Sequence, residues 1–215
     1  MNTSKYYNRK YFNWQKSGGE FGGKANLFKF EKYIKETSDV LDFGCGGGYL
    51  LANINTQGRK IGIEVNPVAR AEAQKRGIEC LEDITKVDDA SVDILISNHA
   101  LEHVDNPFFY INEFKRVIRP KGKIVLCVPH ETNEKINYND SNMHLYTWSP
   151  QNLYNLLTVN GFKVNECQRL CHAWMPNCRK IQSLVGWNIF NKLCILYSKM
   201  KRQYQVIAVA TKRNQ

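Results

Sequence analysis

From residue 39 onward, short apolar runs alternate with longer stretches whose apolar positions recur every three or four residues. Short apolar runs are typical of buried strands, and the longer period is typical of helices packed against them. The pattern predicts seven strands, at residues 40–43, 60–65, 78–81, 92–97, 123–128, 162–169 and 204–212.

Capping residues mark where the predicted helices begin and end. Asn66 stands at an N-cap position, Pro67 follows at the first helical position, and Gly77 comes just past the end. A Ser-Pro pair at 149–150 opens another helix, which Gly161 ends in the same way. The predicted helices cover residues 49–55, 67–76, 107–118 and 150–160.

The alternation of strands and helices predicts the fold class. Strands joined by helices pair in parallel through right-handed crossovers, so we expect an α/β fold with a doubly wound sheet. Such sheets bind ligands outside the carboxyl ends of their strands, near the point where the strand order reverses. Candidate functional residues are therefore sought directly after each predicted strand.

The composition is that of a globular protein in a reducing compartment. Hydrophobic residues make up 43% of the 215 residues, enough for one domain with a sizeable core. No apolar run approaches the roughly 20 residues of a spanning helix, and the polar N-terminus does not resemble a signal peptide. Seven cysteines at irregular spacing do not indicate a disulfide framework, so we expect a cytoplasmic protein.

Charge is distributed unevenly along the chain. The net charge is +5 over residues 1–38, −4 over 39–162 and +9 over 163–215. Basic flanks of this kind attract phosphate groups on a lipid, a nucleotide or a nucleic acid, and they equally form a solvated surface. The distribution leaves both interpretations open.

A glycine-rich turn follows the first strand. In Asp42-Phe43-Gly44-Cys45-Gly46-Gly47-Gly48 the missing side chains let the backbone approach a ligand closely. A dinucleotide-binding turn would have a third glycine at position 49, where this chain has Tyr49. Asp42 suits the cationic amino end of a methionine group and would repel a pyrophosphate.

This turn resembles the first motif of the class I S-adenosylmethionine-dependent methyltransferases, in particular their type 11/23 domains. The resemblance covers roughly residues 37–165 and implies a Rossmann-like sheet of about seven strands. Most of these are parallel and the last is antiparallel, with helices on both faces. It implies S-adenosyl-L-methionine as cofactor and S-adenosyl-L-homocysteine as product. We expect a single methyltransferase domain over residues 1–215. Its parts are an N-terminal lid or helical segment (1–38), a cofactor-binding core (39–170), a helical insertion (171–203) and a last strand (204–213).

The resemblance assigns a cofactor-binding role to residues after four strands. Glu64, followed by Val65, matches the acidic residue that accepts hydrogen bonds from both ribose hydroxyls. Asp83 and Ile84 match the pair that binds adenine, and the segment after the fourth strand matches the one beside the methionine part. The expected cofactor-binding residues are Asp42, Gly44, Cys45, Gly46, Gly48, Glu64, Val65, Asp83, Ile84, Asn98 and His99.

The segment after the fourth strand also indicates which acceptors are disfavoured. It consists of Asn98-His99-Ala100-Leu101-Glu102-His103-Val104. Enzymes that methylate the exocyclic amines of bases usually have Asn or Asp followed by Pro-Pro here, and this chain has His99 instead. His103 and Glu102 are expected to hold the loop and helix together, with His103 on the acceptor side. Further along, Arg119-Pro120-Lys121-Gly122 resembles the family's turn before the fifth strand, where Gly122 is expected to supply a positive φ.

Two histidines are candidates for a general base. His130 follows the fifth strand, and His144 lies in a segment that resembles the HxxxxT/S-P element of type 11/23 domains. An imidazole suits proton removal near neutral pH, and a histidine bonded to loop backbone is the alternative for each. Tyr146 and the N-terminal Tyr11 are the other expected acceptor-side residues. The aromatic and basic segment around Tyr11 suits a lid or, alternatively, nucleobase stacking.

The insertion at 171–203 is rich in apolar residues and ends in a basic cluster. It could cover the substrate, form a dimer surface or lie on a membrane interface near a lipid-linked substrate. Its apolar residues fall on nearly all sides, which favours burial in the protein or in a homodimer. Cys167, Cys171, His172 and Cys178 lie close in sequence, but their spacing matches no common zinc site, so no metal is expected.

The sequence therefore predicts a methyltransferase that acts on an oxygen, in preference to a nitrogen, of a small molecule or saccharide. The acceptor could carry a phosphate or be lipid-linked. One alternative is an RNA methyltransferase, which the basic flanks favour. Another is a non-catalytic methyltransferase-like partner subunit, against which the intact Asp42, Glu64 and Asp83 argue.

Overall fold

The computed structural model describes the backbone of residues 9–131, 138 and 142–213, and side chains from residue 18 onward. Within that part of the chain, seven strands form one sheet. Their bounds are β1 Val40–Phe43, β2 Lys60–Ile63, β3 Glu79–Leu81, β4 Val92–Asn98, β5 Ile118–His130, β6 Phe162–Leu170 and β7 Tyr204–Lys212. The helices are α1 Arg9–Asn26, α2 Tyr49–Asn53, α3 Pro67–Gln74, α4 Pro107–Val117, α5 Pro150–Val159 and α6 Cys178–Lys201.

The strand order is β3-β2-β1-β4-β5-β7-β6. Pairs among β1 to β5 are parallel, whereas β7 runs antiparallel to both β5 and β6. The order reverses beside β1, which has β2 on one side and β4 on the other. The predicted doubly wound sheet of seven strands with an antiparallel last strand is confirmed.

Alternate residues of the central strands enter two separate cores. Leu41, Leu95 and Leu126 point to the face covered by α4 and α5. Val40 and Ile96 point to the opposite face, which α2, α3 and the segment around residue 30 cover. Because successive side chains of a strand point to opposite faces, near-continuous apolar runs are what a sheet covered on both sides requires.

The predicted capping residues begin their helices. The Asn66 side chain accepts a hydrogen bond from the Val68 amide at the start of α3. Ser149 forms a reciprocal capping box with Asn152 at the start of α5. These bonds satisfy amide groups that lack partners inside the helix, so a local sequence signal predicted both starts correctly.

The turn before the fifth strand differs from its prediction. It lies inside β5, as an irregularity between the pairs Val92–Ile118 and Ile94–Lys123. The positive φ belongs to Lys121, at 65°, and not to Gly122. Gly122 is required for space instead, because a Cβ there would lie 2.5 Å from the Ile118 side chain and 2.8 Å from the Asp93 carbonyl oxygen.

The N-terminal helix and the insertion pack against each other. The Phe21 ring of α1 contacts Trp174, Trp187 and Phe190, with ring centroids 5.4 to 5.7 Å apart. Gly186 has non-helical backbone angles and kinks α6. Among the described helices, none has the length and apolar character needed to cross a membrane.

Candidate functional site

A cleft of about 240 Å³ opens at the carboxyl ends of β1, β2 and β4. This is where the strand order reverses, which is the expected ligand position in a doubly wound sheet. The residues that line it are Phe43, Gly44, Gly46, Ile63, Glu64, Val65, Asn66, Ala69, Glu82, Asp83, Ile84, His99, Ala100, His103, Val104, Asp105 and Tyr110.

The glycine-rich turn forms the floor of the cleft. Gly44 has φ of 78°, and a Cβ there would lie 2.3 Å from the Cβ of Ala100. Gly46 has φ of 54° with nothing within 4 Å of an added Cβ, so its backbone faces open space. The turn thus exposes backbone to the cleft, as a ligand that approaches the main chain would require.

Asp42 lies directly behind this turn, 2% exposed. Burial, together with the smaller effect of the neighbouring Glu64 carboxylate, raises its pKa to about 7. A buried carboxyl group with a neutral-range pKa is poised to ionise when a cation arrives nearby. Asp42 does not line the cleft, so its influence on a ligand would be electrostatic.

Glu64 is held by backbone amides on both oxygens. Oε2 accepts from the Gly46 amide at 3.0 Å, and Oε1 accepts from the Asn66 amide at 2.8 Å. Burial raises the pKa of Glu64, while these amides and Arg70 act in the opposite direction. Arg70 donates to the Glu64 carbonyl oxygen at 2.8 Å. The carboxylate is therefore fixed in orientation at the wall of the cleft.

Asp83 and Ile84 line the next part of the wall. Asp83 accepts from the Thr85 amide at 2.8 Å, so it caps a short turn as well as facing the cleft. Ile84 is fully buried among core residues. Tyr110 of α4 lies opposite, with its ring 5.1 Å from that of Phe43. An apolar wall beside a carboxylate suits a planar group that carries a hydrogen-bond donor.

A buried polar network supports the far end of the cleft. Lys29, 2% exposed, donates to Asn98 Oδ1 at 2.9 Å and to Gln205 Oε1 at 2.6 Å. Cys127 Sγ and His99 Nε2 lie 2.9 and 3.0 Å from the same oxygen of Gln205. His99 has φ of 56°. The network holds the segment after β4 in this strained conformation.

The pKa values of three neighbouring side chains depend on one another, those of Lys29, His99 and Cys127. Burial lowers the pKa of Lys29. Burial would also lower the pKa of His99, but the interactions of its ring with Cys127 and with the Glu102 carboxylate outweigh burial and raise the pKa to about 10. Burial raises the pKa of Cys127, but the interactions of the thiol with Lys29 and His99 outweigh burial and lower the pKa below its usual value. The ionisation of these three buried groups beneath the end of β4 is therefore coupled.

A second cluster surrounds Glu102, which is fully buried. No described group is in hydrogen-bonding geometry to its carboxylate oxygens, although His99 Nδ1 lies 3.3 Å from Oε1. His103 Nε2 and His144 Nε2 are 3.9 and 4.0 Å from that oxygen. Donor atoms of Glu102, His103 and His144 lie within 4.8 Å of one another, close enough to hold a metal ion in common.

His144 is also held from its other side. Its Nδ1 atom lies 2.9 Å from Glu131 Oε1. The His103 and His144 rings are 4.9 Å apart, and His103 lines the cleft. Burial lowers the pKa of His103, so this imidazole is neutral near pH 7. The cluster thus places the His103 imidazole in the lining of the cleft, with His144 directly behind it.

The other predicted residues occupy different positions. His130 Nδ1 is bonded to the Trp148 carbonyl oxygen at 2.6 Å, as the loop-backbone alternative anticipated, and His130 does not line the cleft. Tyr146 donates to the Asp105 carbonyl oxygen at 2.9 Å and lies beside the cleft wall. Cys45 Sγ faces Cys80 Sγ at 3.5 Å in the core. Gly48 and Asn98 also lie behind the lining.

Tyr11 lies in α1, but its side chain is outside the described residues. In the described part of the chain, Cys167, Cys171, His172 and Cys178 do not form a metal-ligand group. None of the seven cysteines is in a disulfide.

Sequence reasoning missed Tyr110, Lys29, Gln205 and Glu131. Tyr110 had a weak signal, because it is a polar aromatic residue in the first turn of the helix after β4. Lys29 and Gln205 are 176 residues apart, and nothing local marks either one.

Comparisons with known proteins agree with this geometry. The sequence profile of the methyltransferase domain family matches residues 23–166. The ubiquinone biosynthesis O-methyltransferase of Rickettsia prowazekii is 24% identical over 213 residues, covering 83% of this chain and 84% of the relative. That of Rickettsia akari is 23% identical, covering 91% and 90%.

A solved SAM-dependent methyltransferase from Thermotoga maritima superposes with a TM-score of 0.69 at 17% identity, covering 95% of this chain and 97% of that one. The chain belongs to the methyltransferase domain family and is a class I S-adenosylmethionine-dependent methyltransferase. S-adenosylmethionine is accordingly its methyl donor.

Proposed function

We propose that the enzyme transfers the methyl group of S-adenosylmethionine to an oxygen atom of a small molecule or saccharide. The observation that carries this is the cluster of His103, His144 and Glu131 at one end of the cleft. A hydroxyl acceptor must lose its proton during transfer, and neutral imidazole is suited to take it. The relatives named ubiquinone biosynthesis O-methyltransferase support oxygen as the acceptor atom.

The cleft residues fit the methyl donor. We assign Glu64 to the ribose hydroxyls, because a carboxylate can accept two hydrogen bonds from a vicinal diol. Asp83 and Ile84, with Val65 nearby, would hold the adenine. The turn at Gly44 and Gly46 would leave room for the rest of the donor. When bound, the donor supplies a methyl group already activated as a sulfonium.

Residues behind the cleft would act without touching its contents. Asp42 would stabilise the cationic amino end of the donor by charge, and Cys45 and Gly48 would maintain the turn. Asn98, fixed by Lys29, would hold His99 beside the methionine part. These residues align the two reactants and exclude water, which is most of what an in-line displacement requires of a protein.

We assign the general base to His144. Its Nδ1 is held by Glu131, which favours the tautomer with a free Nε2 lone pair on the side of His103 and Glu102. His130 has its Nδ1 committed to a backbone carbonyl and is the weaker candidate. Tyr11, His103 and Tyr146 remain proposed acceptor-side residues.

The test is transfer of labelled methyl from S-adenosylmethionine into fractionated extract of the source cells. Wild type is compared with Asp42→Ala and His144→Ala. Label in a small-molecule, lipid or glycan fraction, recovered as an alkali-stable methyl ether and lost in both variants, supports the proposal. Label in RNA would show that the acceptor is RNA, and it would leave the methyltransferase assignment intact. Label on nitrogen, or full transfer by His144→Ala, would overturn the proposed reaction.

A further inference from the structure

The second part of α6, from Trp187 to Lys201, has one buried face and one exposed face that carries large apolar side chains. Phe190, Cys194 and Ser198 are fully buried and form its inner face. Ile189, Leu196 and Met200 recur seven and four residues apart, and they are 52%, 56% and 70% exposed. We define the outer face of α6 as these three residues together with Lys192 and Lys199, which are exposed beside them.

The whole of α6 carries basic residues and no acidic ones. Arg179, Lys180 and Lys201 lie on the same helix, and Arg202 follows it. No aspartate or glutamate occurs after Glu166. A helix that merely faces water usually intersperses both signs of charge and does not expose a row of large apolar side chains. The outer face therefore has the composition of a helix that lies in a membrane interface.

The insertion is attached at the edge of the sheet that contains the cleft. β6 ends at Leu170 and β7 begins at Tyr204, which pairs with His130 at the carboxyl end of β5. Both ends of the insertion thus emerge at the carboxyl edge. A surface that contacts α6 would lie on the side of the molecule where an acceptor enters.

We propose that the outer face of α6 docks on a membrane surface that contains anionic phospholipids. Ile189, Leu196 and Met200 enter the boundary between headgroups and acyl chains, while Lys192 and Lys199 contact the phosphates. Two copies of this face would bring lysines against lysines, so a symmetric dimer through it is opposed by charge. A nucleic acid would satisfy the lysines but would leave the apolar row in water.

The experiment is co-sedimentation of the full-length protein with vesicles of phosphatidylcholine alone or with 30% phosphatidylglycerol. We expect binding to the anionic vesicles that weakens at 0.5 M salt, because surface charges are screened at that ionic strength. Lys192→Gln with Lys199→Gln should weaken binding about 25-fold, at roughly fivefold for each basic residue near the surface. Leu196→Ser should weaken it about tenfold through lost apolar burial.

The matched control is Lys163→Gln with Arg213→Gln, an equal change of net charge on exposed residues at the opposite edge of the sheet. It should retain wild-type binding. Equal loss in the control and the α6 variant, or equal binding to neutral vesicles, would overturn the proposal. So would a dimer in solution that the Leu196→Ser change dissociates. Vesicle binding is read without any methyl acceptor, so its failure is separate from failure of the proposed reaction.

Discussion

His144 Nδ1 lies 2.9 Å from Glu131 Oε1, while its Nε2 atom lies 4.0 Å from Glu102 Oε1. The imidazole is thus held between one half-exposed and one fully buried carboxylate. Such a pair fixes the orientation of the ring. This relationship distinguishes His144 from His130, whose ring is bound to a backbone carbonyl.

Replacing His144 with alanine should lower kcat about 10²- to 10⁴-fold, the usual contribution of a general base. Affinity for S-adenosylmethionine should not change, since His144 does not line the cleft wall. Glu131→Gln should lower kcat by a smaller factor, because it removes only the orienting partner. Steady-state kinetics with the identified acceptor and calorimetric titration of the donor check both expectations. A larger kcat loss in His130→Ala than in His144→Ala would reverse the assignment.

Replacing Glu64 with glutamine should weaken binding of S-adenosylmethionine about 10- to 100-fold. The change replaces a charged acceptor with a neutral one, and a hydrogen bond to a charged group contributes roughly 1.5 to 3 kcal/mol. Isothermal titration calorimetry of the purified protein measures the effect. The control is Glu79→Gln, which alters an exposed carboxylate paired with Arg59 outside the cleft. Equal affinities of the Glu64 variant and wild type would show that Glu64 does not bind the donor.

The pKa of Asp42 predicts a pH-dependent difference in stability. Because the folded-state pKa is raised from 3.8 to about 7, folding favours the protonated carboxyl. That contribution is complete below about pH 4 and is lost as pH rises towards 7. Asp42→Asn cannot ionise, so its stability relative to wild type should increase by about 2 to 3 kcal/mol between pH 5 and pH 8. Urea unfolding of the cofactor-free proteins at both pH values measures the change, and a pH-independent difference would contradict it.

Lys121 and Gly122 should respond in opposite directions to substitution. Lys121→Gly removes a side chain from a residue with φ of 65° and should stabilise the protein by roughly 0.5 to 1 kcal/mol. Gly122→Ala adds a Cβ 2.5 Å from the Ile118 side chain and should destabilise it by about 1 to 3 kcal/mol. Thermal unfolding of the two variants compares them. Tolerance of alanine at 122 together with destabilisation by glycine at 121 would show that the backbone strain had been assigned to the wrong residue.

Local signals predicted much of the sheet and of the cleft wall. The bounds of β1 and β7 match the prediction, and the caps at Asn66 and Ser149 begin the expected helices. Glu64 and Asp83 were predicted from their match to the family's motifs at strand ends, and both line the cleft. Parallel strands bring their carboxyl ends to one edge of the sheet. Residues at the ends of different strands can therefore be expected close together in space. Their contacts with the cofactor stay a prediction.

The buried network could not be predicted in the same way. Lys29 meets Gln205 across 176 residues, and Glu102 meets His144 across 42. No periodicity or spacing encodes such contacts, because they depend on how separate elements pack. The apolar insertion was expected to be buried in the protein or in a homodimer. Within the single chain, five of its large apolar residues are at least 40% exposed: Leu184, Ile189, Ile195, Leu196 and Met200.

The sequence by itself determined the order of strands and helices, the glycine-rich turn and the acidic residues that follow the strands. These depend on side-chain periodicity and on backbone sterics over a few residues. Only the tertiary structure decided which histidine is held by carboxylates, which residue takes the positive φ before the body of β5, and which face of α6 remains uncovered. Each of these depends on contacts between segments far apart in the chain, whose free energy is set by packing and burial rather than by neighbouring residues.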